Sequence, residues 1–342
     1  MTQPGPDTAT VTLAHGNGGR LMRQLIDAVF VRQLGNPWLA PLADAAILPP
    51  FPDGDHELVF TSDGVTVQPL FFAGGDIGSL AVHGSVNDLA VCGATPRYLS
   101  LNAFLEEGLP LEALERIVAS LAEAARACDV QVVAGDTKVL PRGLCGGLYF
   151  GVSGIGTRPA GLTLGTRGIR AGDAILVSGP LGDHGIAVML AREEFGLSGN
   201  LASDSASVLP LTRALLTMPG LRFMRDPTRG GLATVLHEVI QATGLGVTLE
   251  EPQLPIRGSV RSVCDMLGYD PLYLACEGRV VAIVAEDEAD EALRRWQALP
   301  QGRGAQRIGT LDPHHDRLLL VNEWGGERLL QELEDDPLPR IC

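Results

Sequence analysis

Four aspartates stand beside apolar or helical segments in the first half of the chain: Asp44 in LADAAIL, Asp63 in TSDG, Asp88 in VNDLA and Asp136 in AGDTK. Mg²⁺ takes oxygen ligands and usually shares them with nucleotide phosphates, so carboxylates distant in sequence but gathered at one sheet edge suit it. Three glycine loops accompany them, AHGNGGR (14–20), GPLGDHG (179–185) and RDPTRGG (225–231), the first and last leading into predicted helices. Glycine lets a backbone approach a ligand closely, and the N–H groups that open a helix can hold phosphate oxygens. None of the loops has the GxxxxGK[ST] or GxGxxG pattern, so a nucleotide would be held in another way. Lys138 follows an acidic turn and could set an ammonium beside phosphates. Glu277 lies in apolar LYLACEGRVV, where desolvation raises a carboxyl pKa towards the range of a general base. Plainer readings stand beside these: a lone Asp caps a helix or closes a turn, Lys138 is a solvated surface lysine, and Glu277 is a charge exposed in a turn with Arg279.

The elements that must carry these residues alternate between helix and strand. Leu21, Leu25, Ile26 and Val29 recur at helical spacing, predicting a helix from Gly19 to Leu34 after a mobile first ten residues. ELVFTSDG (57–64) reads as a strand delivering Asp63 at its end. Leu111 to Cys128 reads as a second amphipathic helix, and VQVVAGDTK (130–138) as a strand ending in Asp136 and Lys138. A Gly/Thr/Arg/Pro-rich linker is expected at 156–173. Beyond it, AILVSGPLGDHG gives a strand, a glycine turn and a helix start. Helices follow near 205–217, 230–243 and 287–299, with buried strands at 279–285 and 317–321.

At 342 residues with 45% hydrophobic side chains, the chain has material for two packed domains. Its 26 basic and 41 acidic residues leave a net charge of −15, which repels a phosphate backbone and an anionic membrane alike, so neither nucleic acid nor membrane is expected as a partner. The N-terminus lacks the basic start and apolar run of a secretory signal, and the longest uncharged stretch, Gly143 to Thr157, is too short to span a bilayer. A cytoplasmic protein is expected. The six cysteines form no CxxC pair, and five of them (Cys92, Cys128, Cys145, Cys264, Cys276) read as small core residues. Cys342 alone ends a polar tail, PLPRIC, which its prolines keep extended; six residues reach roughly 20 Å. Arg340 favours a thiolate there, while the terminal carboxylate, Asp335 and Asp336 oppose it.

With AHGNGG, TSDG, VNDLAVCGATPRYLS, GDTKV, SGPLGDHG, RDPTRGG, CEGR and a terminal PRIC in this order, nearly the whole chain resembles the hydrogenase-maturation carbamoyl dehydratase (HypE) family. That family is part of the aminoimidazole ribonucleotide synthetase-like (PurM-like) ATP-binding superfamily. The resemblance implies a two-domain α/β fold with mixed sheets: residues 1–10 flexible, 11–158 an N-terminal ATP-binding and dimerisation domain, 159–333 a C-terminal α/β domain, and 334–342 a substrate-carrying tail. It implies a homodimer using ATP and Mg²⁺. A HypF-type carbamoyltransferase loads Cys342, the enzyme dehydrates the S-carboxamide to a thiocyanate, and a HypC–HypD complex takes the cyano group for nickel–iron hydrogenase. Carried over residue by residue, Cys342, Glu277 and Lys138 are catalytic. Asp44, Asp63, Asp88 and Asp136 bind metal and, with Lys138, Gly18, Gly19, Asn87, Asp226 and Arg229, the nucleotide. His15, Asn17 and His184 lie in matched loops without separate roles. Two alternatives remain at this level: another superfamily enzyme acting on a small diffusible substrate, or a non-catalytic assembly adaptor.

Overall fold

The computed structural model describes residues 10–16, 20–37, 39, 55–192 and 199–333; Asn17, Gly18, Gly19, Asp44 and Cys342 lie outside them. The expected first helix is present as α1 (Arg20–Leu25), a π-helical turn (Ile26–Val31) and α2 (Arg32–Leu34). The wider turn shifts the apolar stripe, so that Leu25, Val29, Phe30 and Leu34 are buried while Leu21 is 38% exposed. Thr10, expected to be mobile, bridges to Pro110, and Val11 donates to Leu109.

Next come β1 (His56–Val65), a short hairpin of β2 (Phe71–Phe72) and β3 (Gly75–Asp76), α3 (Ile77–Val91), β4 (Thr95–Glu106), α4 (Leu111–Ala127), β5 (Gln131–Leu140) and β6 (Leu148–Pro159). The four long strands form one sheet in the order β1-β6-β4-β5. Its one parallel pair, β4 and β5, is joined by the crossover helix α4, and the other pairs are antiparallel. Inward residues such as Leu99, Leu101, Phe150 and Val152 are buried with α3 and α4. The opposite face carries Leu58 and Phe60, 64% and 67% exposed.

Two expectations change here. Strand β5 runs on to Leu140 because β4 pairs with it as far as Glu106, so Asp136 and Lys138 sit within the strand rather than at its end. The predicted linker begins as strand: β6 continues to Pro159 against β1, and a 3-10 turn follows at Thr166–Gly168.

The second half holds β7 (Ala174–Val177), α5 (Asp183–Ala191), α6 (Leu209–Leu215), β8 (Leu221–Arg225), α7 (Gly231–Thr243), β9 (Gly246–Glu250), α8 (Gly258–Leu267), β10 (Val281–Val284), α9 (Ala289–Gln297), β11 (Gln306–Asp312), β12 (Leu318–Val321) and β13 (Glu327–Leu329). Its mixed seven-stranded sheet has the order β13-β12-β9-β11-β7-β10-β8. Strands β7 and β10 are buried at every position, as strands covered on both faces must be. One apolar cluster is continuous from Val86 of α3 to Leu211 and Trp296 of the second half. The indole of Trp296 donates to the Leu211 carbonyl at 2.9 Å, fixing α9 on α6. No described helix is long and apolar enough to cross a membrane.

Cys128, Cys264 and Cys276 are buried free thiols, whereas Cys92 is exposed and Cys145 half-exposed, contrary to their reading as core residues. Cys92 is the C-cap of α3, where the helix reaches the surface.

Helix α3 opens on a capping box: the Asp76 carboxylate accepts from the Gly78 and Ser79 amides at 2.7 and 3.0 Å, and the Asp76 amide donates to Ser79 Oγ. Asp76→Ala should therefore cost about 1–2 kcal/mol, read as a lowered urea midpoint at unchanged slope. An unshifted midpoint would show that α3 is held by packing alone.

Candidate active site

Asp63 and Asp88 meet because β1 and α3 pack side by side. Asp63 projects towards the helix, where its Oδ2 lies over Gly84; a Cβ there would come within 3.0 Å of it. One turn later on α3, Asp88 Oδ2 accepts from Thr61 Oγ1 at 2.7 Å. Burial, and then the neighbouring charge of Asp88, push the Asp63 carboxyl above its usual range.

From the second half, the loops after β8 and before β10 bring Asp226 and Glu277 to the same place. They are tied together by the Cys276 amide, which donates to the Pro227 carbonyl at 2.9 Å. Within RDPTRGG, Gly231 has φ +61°, and a Cβ there would lie 2.6 Å from the carbonyl oxygens of Leu272 and Leu274. Only glycine lets the start of α7 sit this close to the stretch of chain leading to Glu277. Asp226 is buried; its carboxyl is pushed up to about 7 by burial first, then by Asp88 and more weakly by Asp63. Glu277 is 6% exposed, and its carboxyl is raised well above the ordinary range by burial, with Asp226, Asp204, Asp63 and Asp88 adding repulsion. This excludes the exposed-turn reading of Glu277. Arg229 supplies a compensating positive charge near Asp63.

The Glu277 loop is seated on residues 203–206. Asp204 Oδ1 accepts from the Glu277 amide at 3.1 Å, and a Cβ at Gly278 would run into the Asp204 carbonyl. On either side, Ser203 Oγ is hydrogen-bonded to His184 Nδ1 at 2.8 Å and Ser205 Oγ to His83 Nδ1 at 3.0 Å. Burial lowers both imidazoles to about 4, so they are neutral at pH 7 and act as hydrogen-bonding struts. Asn87, one residue before Asp88, is 1% exposed. Its amide donates to the carbonyls of Ala206 and Glu277 and accepts from the Val208 amide. Asn87, carried over as a nucleotide-binding residue, commits this amide to backbone across the seam between the two halves.

Asp136 and Lys138 stand elsewhere. They form an exposed ion pair of 3.2 Å on the open face of the four-stranded sheet. In register, Asp136 faces Asn102, Asn102 faces Gly151 and Gly151 faces Gly64, which puts β5 three strand spacings, about 14 Å, from β1. The expectation that all the aspartates gather at one edge therefore does not hold within a single chain. Among the described residues, no three His, Cys, Asp or Glu side chains converge closely enough to hold a metal ion. His15 Nδ1 is engaged locally by Thr12. The structure adds Thr61, His83 and Asp204, which the motifs did not single out; Asp183, inside GPLGDHG, was within reach of that reading.

Two families of AIR synthase related proteins match the chain: their N-terminal domain over residues 42–157 and their C-terminal domain over 170–319. Carbamoyl dehydratase HypE of Escherichia coli K12 is 44% identical over 335 residues, covering 97% of this chain and 99% of that protein. A crystal structure of hydrogenase maturation protein HypE in complex with ATP superposes with a TM-score of 0.91 at 42% identity, covering 97% of this chain and all of that one. HypE in a HypE–HypF complex gives 0.78 at 40% identity, over 90% and 99% of the two chains. A carboxyl cluster assembled from two AIR synthase-type domains, and relatives this close over the full length, place the chain in the carbamoyl dehydratase HypE family.

Proposed function

We propose that the protein uses ATP to dehydrate an S-carbamoyl group on its own Cys342 to a thiocyanate, supplying cyanide ligands for the iron of nickel–iron hydrogenase. The observation that carries this reading is the buried Glu277, held with a raised carboxyl pKa at the seam where two AIR synthase-type domains meet. An amide-like oxygen leaves poorly. Transfer of the γ-phosphoryl group to the carbamoyl oxygen converts S–C(=O)–NH₂ to S–C(OPO₃)=NH with release of ADP and a proton. Loss of the remaining N–H proton to Glu277 then expels phosphate and leaves S–C≡N. A desolvated carboxylate is a stronger base than one in water, which suits Glu277 to that step. The HypE named in complex with ATP and the HypE–HypF complex favour ATP as the co-substrate and a HypF-type enzyme as the source of the carbamoyl group. In this reading a HypC–HypD complex receives the cyano group, and the reaction runs in the cytoplasm, where its ATP is supplied.

Mg²⁺ fits the donor set. Asp63 and Asp88 offer hard oxygens that repel one another, and this ion characteristically takes one or two protein carboxylates and completes its shell from phosphates and water, so a closed protein cage is not required. Asp63 and Asp88 would hold it, with Asp44 and Asp136 as further candidates, and it would neutralise phosphate charge during transfer. The alternative of a small diffusible substrate leaves a terminal thiol unused.

The open sheet face supports a homodimer. Leu58 and Phe60 are large, exposed and adjacent to a strip of Ile155 and Tyr98 in register. Asp136 and Lys138 lie on this same face, and a second copy packed there is the route by which they would approach a nucleotide.

Three outcomes test the reading. Full-length protein carbamoylated on Cys342 should lose about 18 Da from its C-terminal peptide on adding Mg–ATP, and Glu277→Gln should slow this at least ~100-fold; a carbamoyl mass that persists in the wild-type protein would overturn the dehydration. Phe60→Asp should convert a dimer to a monomer in sedimentation velocity, whereas an unchanged sedimentation coefficient would remove the sheet face from the interface. For Asp226, the folded carboxyl titrates near 7 against an unfolded value of about 4. The native state holds the extra proton between those values, so the stability this group contributes is complete below about pH 4 and is lost as pH rises through 7. Nucleotide-free protein should accordingly show a melting temperature that falls between pH 5 and 8, with a shallower fall in Asp226→Asn; parallel curves would contradict it.

A further inference from the structure

Residues 199–208 have no helix or strand and run as a strap between the two halves of the chain. One side of the strap borders a cavity of about 570 Å³, lined by its residues 200–204. No packing holds it from that side, and polar contacts fix its place. The first half supplies three of them: the Ala73 carbonyl accepts from the Ser203 amide at 2.7 Å, His83 Nδ1 pairs with Ser205 Oγ, and the Asn87 side chain bonds the backbone of Ala206 and Val208. The second half supplies His184, whose Nδ1 pairs with Ser203 Oγ, and that hydroxyl in turn accepts from the Ser205 amide at 3.0 Å. Asp204 is thereby held between two anchored serines.

The side chain so placed is a carboxyl group with 0% of its surface exposed. Burying such a group is costly unless it is partnered, and its partners here are the two ends of one turn. Oδ1 accepts from the Glu277 amide at 3.1 Å, and Oδ2 lies 3.3 Å from Arg279 Nε, a Coulombic contact because that N–H donates to the Pro180 carbonyl. Between them Gly278 passes against the Asp204 carbonyl with no room for a Cβ. The Glu277 carbonyl accepts from the Asn87 side chain at 3.1 Å. With its N–H and its C=O both held, Glu277 has the direction of its Cα–Cβ bond set. Its carboxyl is aimed by Asp204 and Asn87, from segments distant in sequence.

We propose that Asp204 is a positioning residue for the dehydration: by gripping the Glu277 amide and facing Arg279 it holds the turn that aims the Glu277 carboxyl at the N–H proton it removes. A general base works only within hydrogen-bond reach of its proton, and a displacement of about 1 Å costs on the order of 100-fold in rate. Asp204 acts through Glu277 and through no other group of the reaction. The inference rests on the dehydration reading and adds what holds its base in place.

The test follows the ATP-dependent mass loss in a single turnover, in full-length protein carbamoylated on Cys342 to verified equal extent. Asp204→Ala should slow the step about 10- to 100-fold at unchanged ATP affinity. Asp204→Asn removes the same charge but keeps an acceptor for the Glu277 amide, and should regain most of that rate, so the two variants separate the hydrogen bond from the charge. In a Glu277→Gln background the alanine substitution should slow the reaction no further, because no base is left to aim. A wild-type rate in Asp204→Ala, an Asp204→Asn variant as slow as Asp204→Ala, or a double variant slowed by the product of the two single effects would overturn the role. Asp204→Leu, which keeps a branched side chain without an acceptor, replaces Asp204→Ala if a melting temperature shows that the latter does not fold. Absence of mass loss in the wild-type protein would instead sink the dehydration reading, so the two failures are distinguishable.

Discussion

The amide side chain of Asn87 ties the two halves of the chain together beside the buried Glu277. With 1% of its surface exposed, it bonds the backbone of Ala206, Val208 and Glu277 at once. Sliding one half against the other would leave buried backbone groups unpaired, at about 1–3 kcal/mol for each. The next residue on the same helix is Asp88. The placing of Asp88 relative to Glu277 is therefore set by one helix, and the capping box at Asp76 fixes where that helix begins.

Around this stitch the protein gathers carboxyl groups that repel one another in a poorly solvated setting. Burial dominates the raised values of Glu277, Asp226, Asp63, Asp183 and Asp204, and repulsion from neighbouring carboxylates adds to it in all of them but Asp204. Such an arrangement costs stability in the absence of cations, and perturbed groups concentrated in this way are characteristic of functional sites. The two neutral histidines have the opposite character: half-buried His83 and buried His184 brace the loop bearing Asp204 without adding charge.

Particular elements show what could be read from the chain before its fold. Helix α4 was plain because Leu114, Ile117, Val118, Leu121 and Ala125 form one buried stripe. Helix α3 offered no such stripe: eleven of its fifteen residues are buried, and its apolar side chains are not confined to one narrow face. The local apolar context of Glu277 foretold its desolvation, yet the identity of its repelling neighbours depended on chain segments more than fifty residues away. Asn87 was assigned to the nucleotide by the resemblance alone, and only the fold shows its side chain reaching across the seam. Asp204 sits in the plain polar run SDSAS, and only the approach of Gly278 gives it a role.

The amino-acid sequence by itself determined the alternation of helix and strand, the order of the glycine and aspartate motifs, the apolar setting of Glu277 and the resemblance that names the family. Each of these is a property of neighbours along the chain. Tertiary structure alone decided which of the motifs meet. Strand order β1-β6-β4-β5 puts Asp63 and Asp136 on opposite edges of one sheet, and the alternation of side chains along each strand puts them on opposite faces. Periodicity assigns a residue to a face, but pairing between distant strands assigns the strand to its place, and that pairing is written in long-range packing rather than in any local pattern.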